Sequence, residues 1–460
     1  MTSNDIPSDA NTPPAAGAQP QRRLSLFDTT SMIVGIIIGS GLYETTPVIA
    51  GNVPSAVWLI LGWLLGALFS LVGSLCYAEL ATTYPADGGD YVYLTRAFGR
   101  ALGFLFAWAQ LWVIRPGSIG AMTYVFGRYA TQLVSLGPYS FTIYAAGAVL
   151  VISGINILGV REGKWTQNAL TSAKLLGLSI VMIVGLTCRA PLEQAPPALE
   201  EAPNYNVGLA LILVVFTYGG WNDIAYAAAE VRNPERNILR ALLLGVFAVA
   251  TIYVGVNLAF VHALGLQGFA ASRAVAGDVA ALGLGDWGRR GIAILICIST
   301  LGAINGMIFT GARIYYAMGR DHSLFALVGR WSSRFGTPAW SLVIQAACTL
   351  LAVVGFGVIG SETQGGGFQR LIDFTTPVFW SFLLLTGLSV IVLRERDPER
   401  TRPFGVPWYP LLPAVFCTGA AGIVFAGVLH AIEARSWAAL WAAGLMAPGV
   451  VLAFISRDGR

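Results

Sequence analysis

Long apolar runs separated by short polar connections fill this chain from about residue 31 to residue 456. Each run is close to or above the roughly 20 residues that a helix needs to cross a hydrocarbon core of about 30 Å. The pattern therefore predicts an all-α polytopic membrane protein with about twelve spans. We expect the spans at 31–50, 56–81, 101–126, 139–158, 168–188, 207–229, 239–263, 286–311, 338–358, 371–393, 408–430 and 436–456.

Two of these runs contain a short break that carries glycine. The first run contains Gly39-Ser40-Gly41, and the sixth contains Gly219-Gly220. Backbone that leaves helical geometry inside a bilayer has no water to replace its lost hydrogen bonds, so it persists only where it lines a protein-enclosed cavity. Glycine in a membrane helix also serves close helix packing, so either break alone admits both interpretations.

The matched positions of the breaks favour a cavity. Because they interrupt the first and sixth runs, runs one to five and six to ten correspond, and an odd number of crossings inverts the second half. This arrangement predicts an inverted 5+5 repeat with discontinuous helices 1 and 6, an architecture typical of secondary transporters. We expect a disordered cytoplasmic tail at 1–23, the two repeats at 24–190 and 204–396, and helices 11 and 12 at 402–456.

Composition and charge set the class and the orientation. With 55% hydrophobic residues, 11% charged residues and a mean hydropathy of +0.67, the chain is too apolar for a soluble globular protein. Of the 28 Lys and Arg residues, nineteen fall on one side of the predicted spans and seven on the other. The positive-inside rule then predicts that both termini are cytoplasmic. Because the net charge of +4 is spread over these loops, it does not indicate nucleic-acid binding.

Motifs for enzyme chemistry are missing from the sequence. The three histidines lie near span ends without metal-ligand spacing, and neither a Gly-x-Ser-x-Gly elbow nor a phosphate-binding loop occurs. The five cysteines have no paired spacing, which favours buried free thiols. We therefore predict that the protein is not an enzyme and holds no metal or cofactor.

Among the charged residues inside the predicted spans, four bear on the interpretation. Lys174 lies too deep in the fifth span to reach the headgroups, so its default interpretation is functional. Arg115 lies mid-span, where a structural ion pair is at least as good an explanation. Asp223 could face the cavity or a neighbouring helix, and Glu79 is expected at the interface.

The residues around the breaks resemble the amino acid-polyamine-organocation superfamily, and further stretches are similar to its L-type amino acid transporter branch. The resemblance runs in order along the chain from about residue 24 to 456. The matching stretches are GIIIGSGLY (35–43), CYAEL (76–80) with GGDY (88–91), IRP (114–116), AKLL (173–176), FTYGGWN (216–222), EVRNPERN (230–237), NG (305–306) with AR (312–313), and RPFGVP (402–407).

The resemblance implies an amino acid site built from the two breaks. Free N–H groups around Gly39, Ser40 and Gly41 would bind the substrate carboxylate. Unpaired carbonyl oxygens at Ile37, Phe216 and Gly219 would accept from its ammonium. The resemblance further implies that Phe216 is a lid over the substrate, and it sets Tyr218, Gly220 and Asn222 around the site.

Lys174 matches a family lysine that stands where sodium-coupled relatives hold an ion. The resemblance thus implies a sodium-independent transporter of the plasma or inner membrane that exchanges neutral amino acids by alternating access. Proton-coupled uptake, a cationic amino acid or polyamine substrate, and a sensor that binds without transport stay open as alternatives. Eukaryotic members of the branch join an ancillary chain through a loop cysteine, and residues 127–140 contain none, so we expect no disulfide-linked partner.

Overall fold

The computed structural model describes residues 20–190, 205–359, 366–433 and 437–455. These residues are helical, apart from connections and a few isolated β-bridges. Most of the predicted N-terminal tail lies outside the described residues. Sixteen α-helices follow one another: α1 (Leu26–Ile37), α2 (Gly41–Glu44), α3 (Thr46–Gly51), α4 (Ala56–Thr83), α5 (Asp90–Phe98), α6 (Arg100–Ala109), α7 (Arg115–Leu133), α8 (Ser140–Leu158), α9 (Val160–Thr187), α10 (Val207–Thr217), α11 (Pro234–Ala271), α12 (Val275–Asp321), α13 (Ala339–Ile359), α14 (Gly366–Arg396), α15 (Leu411–Glu433) and α16 (Trp437–Ile455).

The predicted polytopic fold is confirmed. Nine helices within the described ranges are long and apolar enough to cross a membrane, and two shorter apolar helices lie in α13 and α16. The third predicted span consists of three joined pieces, which are α6, a π-helical turn at Gln110–Ile114, and α7. Together these elements agree with about twelve spans.

The first and sixth spans, which the sequence predicted as discontinuous helices, are discontinuous in the structure. The first span consists of α1, a non-helical segment and the short helices α2 and α3. The sixth consists of α10, a turn and the 3-10 segments Trp221–Tyr226 and Ala228–Glu230. After its break, the predicted span at 207–229 thus continues in 3-10 turns rather than as an α-helix. The exact limits of the two repeats stay a prediction.

The first span begins earlier than predicted. Ser25 caps α1 through a reciprocal capping box, in which its hydroxyl accepts from the Asp28 N–H and the Asp28 carboxylate accepts from the Ser25 N–H at 2.9 Å. Asp28 is buried and also forms an ion pair with Lys164 of α9 at 2.9 Å. Polar residues that looked like a connection are thus the first turn of the helix.

Helix packing positions both breaks at the centre of the fold. The first span packs against α9, α11 and α12, and the 3-10 segment Trp221–Tyr226 contacts α1, α4 and α12. In turn α12 packs against α7 and α9, and α14 packs against α7. The breaks are consequently enclosed by helices rather than exposed at the periphery.

Candidate functional site

The first break leaves backbone donors without partners. After α1 ends at Ile37, the chain turns through three residues and restarts as α2 at Gly41. Within the described ranges, the N–H groups of Ser40, Gly41 and Leu42 donate to no other residue. Such donors at the start of a helix, aided by the positive end of its dipole, bind an anionic group.

The second break requires glycine. Gly220 has φ +111°, a left-handed conformation that L side chains rarely adopt, and a Cβ there would lie 2.7 Å from Cγ2 of Ile36. The carbonyl oxygen of Gly219 accepts no hydrogen bond from the residues that the structure covers. The break therefore combines close approach to α1 with a free carbonyl.

The hydroxyl of Tyr253, from α11, contacts both breaks. It lies 3.0 Å from the carbonyl oxygen of Ile37 and 3.1 Å from that of Thr217. Its single proton is thus shared between the last residues of the two helices that unwind. Sequence reasoning missed this residue, because a lone tyrosine within an apolar run carries no distinguishing pattern.

A cavity of about 130 Å³ lies between the breaks and helices α7, α12 and α14. Six of the nine substrate-binding residues predicted from the sequence line it. They are Ile37, Gly39, Gly41, Phe216, Gly219 and Gly220. The wall opposite them adds residues that the sequence did not single out as site residues, among them Gln110, Ser118, Met307, Thr375, Phe379 and Trp380.

The side chains of the other three predicted residues lie elsewhere. Ser40 donates to the sulfur of Met122 at 3.4 Å. Tyr218 packs against the ring of Trp63, and Asn222 donates to the hydroxyl of Tyr226 at 3.0 Å. These side chains support the backbone around the cavity and do not line it.

The carbonyl oxygens at the ends of α1 and α10 accept more hydrogen bonds within the protein than the sequence predicted. The oxygen of Ile37 accepts from the Gly39 N–H at 2.8 Å as well as from Tyr253, so the expectation that it is unpaired is wrong. The oxygen of Phe216 accepts from the Gly219 N–H at 3.0 Å. Tightly turned backbone satisfies part of its own hydrogen bonding, which the sequence does not reveal.

Lys174 from α9 binds the end of α1. Its fully buried ammonium donates to the carbonyl oxygen of Gly35 at 2.8 Å and to that of Ile38. Ser299 of α12 donates to the same Ile38 oxygen at 3.0 Å. A cation thus stands between the first span, α9 and α12, directly beside the first break.

Arg115 and Asp223 form an ion pair in the cavity wall, 2.6 Å apart, with side chains 4% and 7% exposed. Both alternatives for Asp223 are therefore partly right, since it lines the cavity and also contacts a neighbouring helix. The unwound backbone that follows Gly220 directs Asp223 towards α7.

Glu79, which the sequence predicts at the membrane interface, is buried against other residues of the protein. Its carboxylate accepts two hydrogen bonds from Arg394 of α14 and one from the Val406 N–H at 2.7 Å. Arg402 lies 3.6 Å away. The RPFGVP stretch thus serves to pair a buried carboxylate, and a single charge near a span end could not reveal those partners.

No group of three His, Cys, Asp or Glu residues within the described ranges could hold a metal ion. All five cysteines are free, and four of them are buried.

Comparison with known proteins identifies the family. The model of the family described as amino acid permease matches residues 24–452. The chain belongs to the amino acid permease family. It is 30% identical to human b(0,+)-type amino acid transporter 1 over 447 residues, which is 95% of this chain and 88% of the relative. It is also 30% identical to mouse large neutral amino acids transporter small subunit 2 over 416 residues, or 87% of this chain and 76% of the relative.

The chain is thus a multi-pass membrane protein from a family of amino acid transporters, and it is not an enzyme. The resemblance noted in the sequence is confirmed over most of the chain.

Proposed function

We propose that this protein is a sodium-independent exchanger of neutral amino acids in the plasma or inner membrane, with both termini in the cytoplasm. Substrate would bind in the cavity between the breaks, and the helices around it would open alternately to either side. Phe216 in the cavity lining would close over the substrate.

The backbone N–H and C=O groups of the two breaks can bind the carboxylate and the ammonium that all amino acids share. The free N–H groups of Ser40 and Gly41 would hold the carboxylate, and the carbonyl oxygens of Gly219 and Phe216 would accept from the ammonium. The side chain of the substrate would then contact the opposite wall of the cavity, which would determine the specificity. The names of both relatives, which are amino acid transporters, support this class of substrate.

The observation that carries sodium independence is the position of Lys174. Its ammonium donates to the carbonyl oxygens of Gly35 and Ile38, and so occupies the place where these oxygens could bind an ion at the end of α1. A protein that already holds a cation there does not require sodium to complete the site.

Neutral substrates are favoured by the charge of the cavity. Asp223 is the one acidic residue among its described lining residues, and Arg115 pairs with it. A cationic amino acid or polyamine would meet the Arg115 guanidinium that already neutralises Asp223, which favours neutral substrates over the cationic alternative.

Reconstitution in proteoliposomes tests the proposal. We expect a labelled neutral amino acid to enter only when unlabelled amino acid is inside, at the same rate in sodium, potassium or choline buffer. Uptake that requires a sodium gradient would contradict sodium independence. Uptake driven by a pH gradient into empty liposomes would support the proton-coupled alternative, and saturable binding without any exchange would support the sensor.

A covalently attached partner is not part of the proposal. The mouse relative is named as the small subunit of a transporter. In this chain α7 and α8 are joined by residues 134–139, which contain no cysteine. We infer that any ancillary chain is not disulfide-linked through this loop, so purified protein should run at one mobility with and without reductant.

A further inference from the structure

Neighbouring residues contact both members of the ion pair between Arg115 and Asp223 in the cavity wall. Thr310 of α12 donates to the Oδ2 of Asp223 at 3.1 Å, the same oxygen that binds Arg115. The Nε of Arg115 donates to Gln110 at 3.1 Å, and its guanidinium lies 5.2 Å from the centre of the Tyr226 ring. These contacts fix both charged groups in one orientation.

The pair nevertheless leaves hydrogen-bonding capacity unused. The Oδ1 of Asp223 accepts no hydrogen bond, and the Nη2 of Arg115 donates none, among the residues that the structure describes. Since both residues line the cavity, one strong acceptor and one strong donor remain beside the space for substrate.

The two groups belong to different structural elements of the site. Asp223 lies three residues after Gly220, in the 3-10 segment that follows the second break. Arg115 begins α7, directly after the π-helical turn Gln110–Ile114, where Pro116 cannot donate to the preceding turn. A substrate that bonds to both would therefore connect the second break to the third span.

On the basis of the proposed function, we propose that Arg115 and Asp223 read the substrate side chain and select small neutral amino acids that carry a hydroxyl or carboxamide group. Such a group both donates and accepts, so it bonds to the carboxylate and the guanidinium together. An apolar side chain would leave both unpaired, and a charged one would meet a like charge.

Cavity size agrees with a small substrate. Its volume of about 130 Å³ is slightly smaller than the roughly 150 Å³ of an engineered protein cavity that binds benzene. Bulky aromatic side chains would need the wall formed by Phe379 and Trp380 to move.

Threonine and valine provide the sharpest test, because they have nearly the same shape and differ by the hydroxyl. Wild-type protein in proteoliposomes would exchange internal substrate for labelled threonine or valine. We expect kcat/KM to favour threonine by about tenfold or more, because a site built to hydrogen-bond a hydroxyl discriminates strongly against its apolar analogue. Equal rates, or a preference for valine, would overturn the proposal.

Substitutions test whether the preference for threonine over valine depends on the ion pair of Arg115 and Asp223. The double substitution R115M/D223L removes both charges at once and so leaves no lone buried charge. We expect its threonine-to-valine ratio to fall to about one or below. E44Q is the matched control, because it breaks an ion pair with Arg128 that does not line the cavity, and its ratio should equal that of the wild type. A wild-type ratio in R115M/D223L would also overturn the proposal.

A milder variant covers the case in which the double substitution prevents folding, and the results separate failure of the selectivity from failure of the proposed function. If R115M/D223L does not accumulate in membranes, T310V removes one hydrogen bond to Asp223 and should lower the ratio partially, whereas an unchanged ratio would contradict the proposal. Exchange of valine and other amino acids without a threonine preference would contradict only the selectivity. Wild-type protein that exchanges no amino acid would contradict the proposed function, and the selectivity with it.

Discussion

The Tyr253 hydroxyl shows how a single atom organises the candidate site, since it contacts the carbonyl oxygens of Ile37 and Thr217 together. Neither the break motifs nor the apolar pattern predicted it. The glycines of the breaks could be predicted because unwound backbone needs glycine, whereas the partners that satisfy that backbone come from distant spans.

Tyr253→Phe removes this contact while it keeps the ring packing against Trp63 and Tyr218. We expect the free energy of unfolding to fall by about 1 kcal/mol, because that is the usual net contribution of one hydrogen bond, and the exchange rate to fall up to about tenfold. Initial exchange rates and melting temperatures measure both effects. Tyr93→Phe is the control, since its buried hydroxyl has no partner within the described ranges, and an equal loss in that variant would contradict the role of Tyr253.

Gly219→Leu should abolish exchange without preventing membrane insertion. A Cβ at Gly219 would lie 3.0 Å from the carbonyl oxygen of Phe216, and the longer side chain would occupy space beside the cavity. The measurement is exchange by protein that elutes as a single species in detergent. Gly147→Leu on α8 is the control, because no atom lies within 4 Å of a Cβ there. Normal exchange by Gly219→Leu would contradict the site assignment.

At the scale of elements, the segment before α1 joins the end of the sixth span. The N–H of Leu24 donates to the carbonyl oxygen of Glu230 at 2.9 Å, and the Arg232 N–H donates to the carbonyl oxygen of Leu24 at 2.9 Å. Fully buried side chains of Glu230 and Arg313 form an ion pair at 2.7 Å in the same region. These contacts connect the two discontinuous spans at the end of the molecule where α1 begins.

Asp87, in the connection between α4 and α5, makes this region sensitive to pH. Burial and the nearby carboxylate of Glu230 raise the pKa of Asp87 to about 8, against the opposing effects of Arg313 and Arg320. The folded protein then holds a proton at neutral pH that the unfolded chain has already lost. Stability from this group is therefore complete below the unfolded pKa of about 3.8, and it is lost progressively as the pH rises to about 8.

Asp87→Asn mimics the protonated form, so it should remove this dependence. We expect the melting temperature of the variant minus that of the wild type to increase between about pH 5 and pH 8 and to level off above that range. Asp286→Asn is the control, since that carboxylate is 94% exposed, and its difference from the wild type should stay flat. A difference for Asp87→Asn that does not change with pH would contradict the raised pKa.

Element limits could be predicted only where polarity changes at the membrane surface. The eighth predicted span agreed at its centre but not at its ends, because α12 continues to Asp321 and includes the buried Arg313. Arg313 donates to Glu230 at 2.7 Å, so its charge is paired inside the fold. Local patterns cannot distinguish such a residue from one in a loop.

At the scale of the whole molecule, the repeated break was the most informative sequence feature. It predicted two discontinuous helices and a cavity between them, and the structure has both. The pairing of Arg115 with Asp223 could not be predicted, because it depends on how the third span packs against the sixth. The proposed selectivity would therefore depend on tertiary contacts, whereas the proposed recognition of the amino acid carboxylate and ammonium would depend on backbone that the sequence reveals.

Counterflow in proteoliposomes of purified wild-type protein tests the central claim most directly. Liposomes loaded with an unlabelled neutral amino acid would be diluted into labelled amino acid, with sodium, potassium or choline as the only cation. We predict transient accumulation of label at equal rates in all three, and none in empty liposomes. Accumulation only in sodium, or none in loaded liposomes under any condition, would contradict the account.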